Sequence, residues 1–233
     1  MARERQTEGL RRNVLFDRLD ERQVEAIDQR CLWIRCEEGH QIIGQSDPTT
    51  DVFFVIEGVV RAKSYSGTGR EVSFVDITAG KLFGEFSAID GRPRASSVVA
   101  MTPCLLARMS AEDFQRTLSE NPEAALKLIS LLVGKTRSLS DRVFEFSTLP
   151  VQSRVHVELL RLAEQVGGDG SRAVIQPAPT HQELATRIST HREAVTRELN
   201  HLASDNLISL RRRRVEILDL PRLRAMVEEA LNG

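Results

Sequence analysis

Two stretches of this 233-residue sequence concentrate groups suited to binding. In the first, Phe83 to Val98, Gly84 immediately precedes the carboxylate of Glu85, and Arg94 follows ten residues after that glycine. A glycine turn that opens a short helix at Glu85 would aim unpaired backbone N–H groups at an anion. The planar fork of Arg94 suits a phosphate, and the small residues Ala95 and Ser96 leave room for close approach. A carboxylate beside a phosphate is repulsive unless it accepts from a sugar hydroxyl. The chemistry therefore points to a phosphorylated sugar or nucleotide. The alternative is a plain Glu85–Arg94 salt bridge in a tight hairpin.

The second stretch runs from Thr180 to Arg197. Thr180-His181-Gln182-Glu183 reads as a capping box, and Thr190-His191-Arg192-Glu193 repeats the device. On the second helix Val195, Leu199 and Leu202 share one face, while Arg192, Glu193, Thr196 and Arg197 share the other. An exposed Arg/Glu/Arg face matches the major-groove edges of guanine and cytosine. The alternative is a solvated helix with an internal ion pair. Thr180, His181, Gln182 and His191 sit at helix starts, where phosphate contacts occur.

The elements that would position these groups are legible from periodicity. Leu15 to Cys31 has helical spacing. From Trp33 short apolar runs follow: 41–43, 52–56, 59–62, 72–77, 97–101 and 105–109, separated by turn residues such as Glu57-Gly58 and Ala79-Gly80. That spacing predicts an antiparallel jelly roll. Ser110 to Asp113 reads as a capping box. Asn121-Pro122 predicts the start of a helix reaching Thr148, about 40 Å long at ~1.5 Å per residue. Its seam carries Leu126, Ile129, Val133, Thr136, Ser140, Val143 and Ser147, which suits a two-stranded coiled coil. Packing on its own barrel is the alternative. Pro150 ends that helix, and the pattern helix, turn, helix, hairpin predicts a winged helix-turn-helix. The four arginines Arg211 to Arg214 fall in the wing turn, as DNA-backbone contacts or as a solvated basic turn.

Composition narrows the function classes. Apolar residues make up 41 % and charged residues 28 %, as in a globular protein. The net charge is −1, and from Pro150 onward 12 basic side chains meet 11 acidic ones, so DNA binding must rest on local placement of charge. No membrane span or secretion signal is expected, which places the protein in the cytoplasm. Cys31, Cys36 and Cys104 lack CxxC spacing, so they are read as reduced thiols rather than zinc or iron–sulfur ligands. No nucleophile–base pair or metal cluster is seen, so neither catalysis nor a metal is expected.

The stretch Phe83 to Val98, with Phe83-Gly84-Glu85 and Pro93-Arg94-Ala95, resembles the phosphate-binding cassette of cyclic-nucleotide-binding domains in its protein kinase A form. Nearly the whole chain resembles the cyclic AMP receptor protein / fumarate-nitrate regulator (Crp-Fnr) family of transcription regulators, whose base-reading pattern matches Arg192, Glu193 and Arg197. The resemblance implies an α+β chain: a β-roll domain over 1–120, a dimerisation helix and hinge over 121–149, and a winged helix-turn-helix over 150–233. It implies cyclic AMP, with cyclic GMP as the alternative, as allosteric effector. Arg94 would pair with the cyclic phosphate and Glu85 with the ribose 2′-hydroxyl. Gly84, Phe86, Ser87, Ala95 and Ser96 would surround the phosphate. The base would lie near Ala62 and Phe74 and meet Leu139-Ser140, where relatives carry Thr-Ser, so Leu139 is a departure. Ser189 stands where the helix-turn-helix turn usually has glycine. The implied partners are double-stranded DNA with palindromic TGTGA-like sites, a second copy of the chain through helix 122–148, and RNA polymerase. The competing readings are a nucleotide-sensing module acting through a protein partner, and a regulator of the same family sensing another signal.

Overall fold

The computed structural model describes residues 2–65, 71–167 and 170–232, with the side chains of 2–6 and 71–74 excepted. It divides into two compact units, Met1–Lys135 and Thr136–Gly233.

In the first unit eight strands form two four-stranded antiparallel sheets. One runs β1 (Leu32–Cys36), β8 (Cys104–Met109), β3 (Val52–Glu57), β6 (Leu82–Phe83); the other runs β2 (Gln41–Ile43), β7 (Ser97–Ala100), β4 (Val59–Tyr65), β5 (Glu71–Thr78). The predicted roll is present, and the short runs fall within a residue of the observed strands except 59–62, where β4 continues to Tyr65. Strand β3 shows why its sequence, Val-Phe-Phe-Val-Ile, does not alternate. Phe53 and Val55 pack with Val60, Val98 and Leu106 between the sheets. Val52 and Phe54 pack on the opposite side with Phe16, Met109 and Phe114. A strand buried on both faces reads as a continuous apolar run.

That second core is closed by helices α1 (Ala2–Arg11), α2 (Glu21–Asp28) and α4 (Ala111–Glu120). The expected helix from Leu15 to Cys31 is shorter than its periodicity suggested. Asp20 caps α2 in a reciprocal box with Gln23, so Leu15 and Leu19 reach the core from turns before it. The box at Ser110 is one-sided: its hydroxyl accepts from the Asp113 amide and donates to the Asp113 carboxylate.

Helix α5 spans Pro122–Thr148, 27 residues, as predicted. Asn121 does not cap it. Its side chain instead donates to the Thr117 carbonyl and accepts from Gln23 at 2.9 Å. The start of α5 packs on the roll through Ala124 and Leu128. Leu126, Ile129, Val133 and Val143 remain 47–66 % exposed. The two readings of this helix thus describe two faces: one covers the chain's own core, and the other is an apolar stripe open to solvent.

In the second unit α6 (Val151–Val166), α7 (His181–Arg187), α8 (Arg192–Ser204) and α9 (Leu220–Asn232) surround a three-stranded sheet ordered β10 (Ile208–Arg211), β11 (Arg214–Ile217), β9 (Ala173–Ile175). Strand β9 is too short to show a period and was not predicted. Leu184, Ala185, Ile188, Val195, Leu199 and Leu202 are all buried in its core. The three cysteines are free and buried. Burial, followed by the nearby charges of Asp28 and Asp113, pushes the Cys31 thiol up to about 12, which leaves it unreactive at neutral pH.

Candidate functional site

The first site is built at the end of β6. Gly84 is in the left-handed region at φ +88 and precedes the short helix α3 (Glu85–Asp90). A Cβ at this position would fall 2.6 Å from the Asp51 carbonyl oxygen and 2.8 Å from Arg94 Nη1, so glycine is required for space as well as for φ. Arg94 closes the cradle. Its Nη1 donates to the Gly84 carbonyl at 3.1 Å, Nη2 to the Asp51 carbonyl at 2.8 Å, and Nε to Thr49 Oγ1 at 3.0 Å. These bonds use three of the five guanidinium N–H groups. Among the described residues no carboxylate lies within salt-bridge distance of Arg94, so the Glu85–Arg94 pair considered from the sequence does not form. Burial lowers the Arg94 pKa from its ordinary value, against the opposing influence of Asp51, Asp47 and Glu85. A desolvated guanidinium with N–H groups left over and no paired carboxylate suits an anion.

Glu85 and Ser87 are buried beside the cradle, Ser96 is half-buried, and Phe86 and Ala95 are exposed. The Glu85 carboxylate is already engaged: Lys135 of α5 donates to Oε1 at 2.5 Å and lies 5.3 Å from the centre of the Phe86 ring. Sequence reasoning missed Lys135, because a lysine on a long helix carries no signal of its partner. Ala62 is half-buried on β4 opposite Val75. Phe74 pairs in register with Lys63, and its side chain lies outside the described residues. Leu139 and Ser140 are exposed on α5, with the Ser140 hydroxyl donating to the Thr136 carbonyl at 3.1 Å.

The second site is the α7–α8 pair. Thr180 caps α7 in the predicted reciprocal box with Glu183. The expected box at Thr190 is absent: α8 is capped by His191 without a side-chain bond, and the Thr190 amide donates to the Ala185 carbonyl instead. Ser189 has φ +52 in the turn, where glycine would be unstrained. Arg154 of α6 braces that turn by donating to the Ile188 carbonyl at 2.8 Å. Arg192, Glu193, Arg197, Gln182, Thr180 and His191 are exposed. Thr196 faces inward more than expected: its hydroxyl donates to the Arg192 carbonyl and meets His181 Nδ1 at 2.8 Å. These two residues hold the start of α7 against α8. On the buried side of α8 the pair His156–Glu198, at 2.6 Å, joins α6 to α8.

A third cluster links the end of α5 to these helices. The carboxylate of Glu158, 1 % exposed, is reached by Arg161 at 2.7 Å, Arg187 at 3.3 Å and Arg142 at 3.7 Å. Arg161 also bonds Glu145 of α5 at 2.7 Å, and Arg142 donates to the Arg187 carbonyl at 3.0 Å. Burial works against the Arg161 charge, but Glu158 and Glu145 outweigh it and raise its pKa.

Comparison with known proteins matches both domains. Residues 33–121 match the cyclic nucleotide-binding domain family, and residues 153–226 match the Crp-like helix-turn-helix domain family. Among relatives, the CRP-like cAMP-activated global transcriptional regulator of Mycobacterium tuberculosis is 25 % identical over 217 residues, 93 % of this chain and 97 % of that protein. The cAMP-activated global transcriptional regulator CRP of Haemophilus influenzae is 29 % identical over 168 residues, 72 % of this chain and 75 % of that one. The crystal structure of Thermus thermophilus catabolite activator protein, 27 % identical, covers 94 % of this chain and 100 % of its own with a TM-score of 0.55. Roll, cradle and helix-turn-helix together define a cyclic-nucleotide-responsive, DNA-binding transcription regulator. The chain belongs to the Crp-Fnr family.

Proposed function

We propose that this regulator takes cyclic AMP as its effector and, with the nucleotide bound, grips a palindromic TGTGA-like operator as a homodimer in the cytoplasm, acting on RNA polymerase. The Gly84–Arg94 cradle carries the reading, because it offers a buried, unneutralised guanidinium at a helix start that a Cβ would fill. Arg94 holds the cyclic phosphate, with the backbone at Gly84, Phe86, Ser87, Ala95 and Ser96 around it. Glu85 accepts from the ribose 2′-hydroxyl while Lys135 steadies its carboxylate. Ala62, Phe74, Leu139 and Ser140 contribute to the base site. Ala95 directly after Arg94 favours cyclic AMP, in keeping with the kinase A form of the cassette, and the relatives above are named as cAMP-activated.

The segment 121–149 serves as dimerisation helix and hinge. Its stripe of Leu126, Ile129, Val133 and Val143 repeats at coiled-coil spacing and is exposed in the single chain. Each protomer then presents Arg192, Glu193 and Arg197 to one half-site, with half-sites about 34 Å apart. Thr180, His181, Gln182 and His191 lie at the helix starts as phosphate contacts, and Thr196 supports His181.

Calorimetric titration of the full chain with cyclic AMP and with cyclic GMP tests the effector. Cyclic AMP is expected to bind more tightly. A clear preference for cyclic GMP would overturn the ranking, and no heat with either would remove the cyclic nucleotide from the account.

A further inference from the structure

Arg197 is bracketed along α8 by two side chains that neighbouring helices hold. Thr196 Oγ1 meets His181 Nδ1 of α7 at 2.8 Å, and Glu198 Oε1 meets His156 Nε2 of α6 at 2.6 Å. Consecutive helical residues lie about 100° apart around the axis, so these two contacts flank Arg197 on either side. The second is the costlier arrangement. His156 and Glu198 are both buried, on helices whose adjoining residues Val155, Leu159, Val195 and Leu199 form the apolar core of the unit. An apolar pair of similar size at such a place often serves stability as well or better. What the polar pair adds is direction. Apolar side chains tolerate a small roll of one helix on another, whereas a hydrogen bond weakens steeply once donor and acceptor leave their line.

The surroundings show where such a roll meets least resistance. A cleft of about 470 Å³ opens beside Glu198, between residues 150–152 at the start of α6 and Ala194, Arg197 and His201 of α8. Along that edge the two helices are not in close contact, so side-chain packing alone does not hold α8 there. The His156–Glu198 bond borders the cleft and ties the helices together beside it.

We propose that His156 and Glu198 are positioning residues for base recognition: their bond sets the roll of α8 on α6 and so aims Arg197 at its base pair, without touching DNA. The inference rests on the base-reading assignment of Arg197 and adds a buried determinant of specificity to it.

The test measures discrimination by the full chain, with cyclic AMP present throughout. Discrimination is the ratio of affinities for the palindromic operator and for one changed at the base pair whose preference Arg197→Ala relaxes. This ratio does not depend on the fraction of active protein. Wild type is expected to discriminate by roughly tenfold or more. His156→Leu combined with Glu198→Met, an apolar pair of similar bulk, is expected to melt at or above wild type. The same protein should lose most of the discrimination while binding scrambled duplex as wild type does, since that binding is set by phosphate charge. Glu198→Gln keeps an oxygen for the imidazole N–H at the same reach and is expected to discriminate as wild type does. Glu198→Asp keeps the charge but shortens the reach, and should lose discrimination; it carries the test if the apolar pair does not fold. In an Arg197→Ala background none of these changes should alter the ratio further, because residues that act through one group are not additive. A purely structural role would instead lower both affinities alike and leave the wild-type ratio intact. Wild-type discrimination in the apolar pair, or in Glu198→Asp, would overturn the proposal. A wild type that prefers neither operator would overturn the base-reading assignment itself.

Discussion

Arg94→Ala is expected to weaken cyclic AMP binding by more than 100-fold, the largest effect of any single change in the nucleotide site. In the proposed site the guanidinium neutralises a phosphate that is taken out of water, and charge-assisted hydrogen bonds of this kind contribute about 1.5–3 kcal/mol each. Two such bonds to the phosphate exceed the ~1.4 kcal/mol that separates each tenfold step in affinity. The substitution also touches the fold. Nη1 and Nη2 tie the Gly84 and Asp51 carbonyls together, and their loss leaves those acceptors without this donor. A stability decrease of about 1–3 kcal/mol is expected alongside, so binding must be measured well below the melting temperature, with circular dichroism as control. Arg94→Lys should keep a positive charge but lose the forked geometry, and bind at least tenfold more weakly than wild type. A folded Arg94→Ala protein that binds cyclic AMP as tightly as wild type would show that the cradle is not the phosphate site.

Glu158→Gln is expected to have the largest effect on stability. The neutral amide keeps the size of the side chain but leaves Arg142, Arg161 and Arg187 converging on a group that cannot balance them. Removing one partner of a buried ion pair typically costs 3–5 kcal/mol. These arginines keep 16–28 % of their side-chain surface, so solvent screens part of the loss and about 2–3 kcal/mol is expected. Because Arg142 and Glu145 belong to the end of α5 and Arg187 to the end of α7, the cluster ties those helix ends to α6 within the second unit. The variant should therefore unfold at lower urea with a separate early transition, and bind the operator less tightly even when saturated with nucleotide. An unchanged unfolding midpoint would show that the cluster does not hold the unit together.

Features set by local spacing were legible in the sequence. The roll announced itself by short runs of three to six residues between turn signals, and α5 by Pro122 and a stretch that only Gly134 interrupts. The RExxxR pattern gave the exposed face of α8, and the glycine–arginine spacing of 83–98 gave the cradle. Ser189 was marked by the resemblance, which puts glycine at that turn, and its φ of +52 agrees. Features that depend on tertiary partners were not legible. Lys135 lies 50 residues from Glu85 in the chain, and Glu198 lies 42 residues from His156. Nothing in residue type or period pairs such groups, and the Glu158 cluster draws on three helices. Helix caps misled where the capping group is engaged elsewhere. Asn121 turns back to Thr117 and Gln23, and the Thr190 amide closes the α7 turn rather than opening α8.

The central claim, that a cyclic nucleotide bound by the roll controls DNA binding by the helix-turn-helix, is tested most directly by titrating a labelled palindromic operator with the full chain at fixed salt, with and without cyclic AMP, and with Arg197→Ala alongside to show that the complex is the specific one. Cyclic AMP is expected to tighten binding by about 5–150-fold, the span of a coupling of ~1–3 kcal/mol. Arg197→Ala is expected to lose ~1–3 kcal/mol and to relax the preference at one base pair of each half-site. Equal operator affinity with and without the nucleotide would contradict the account.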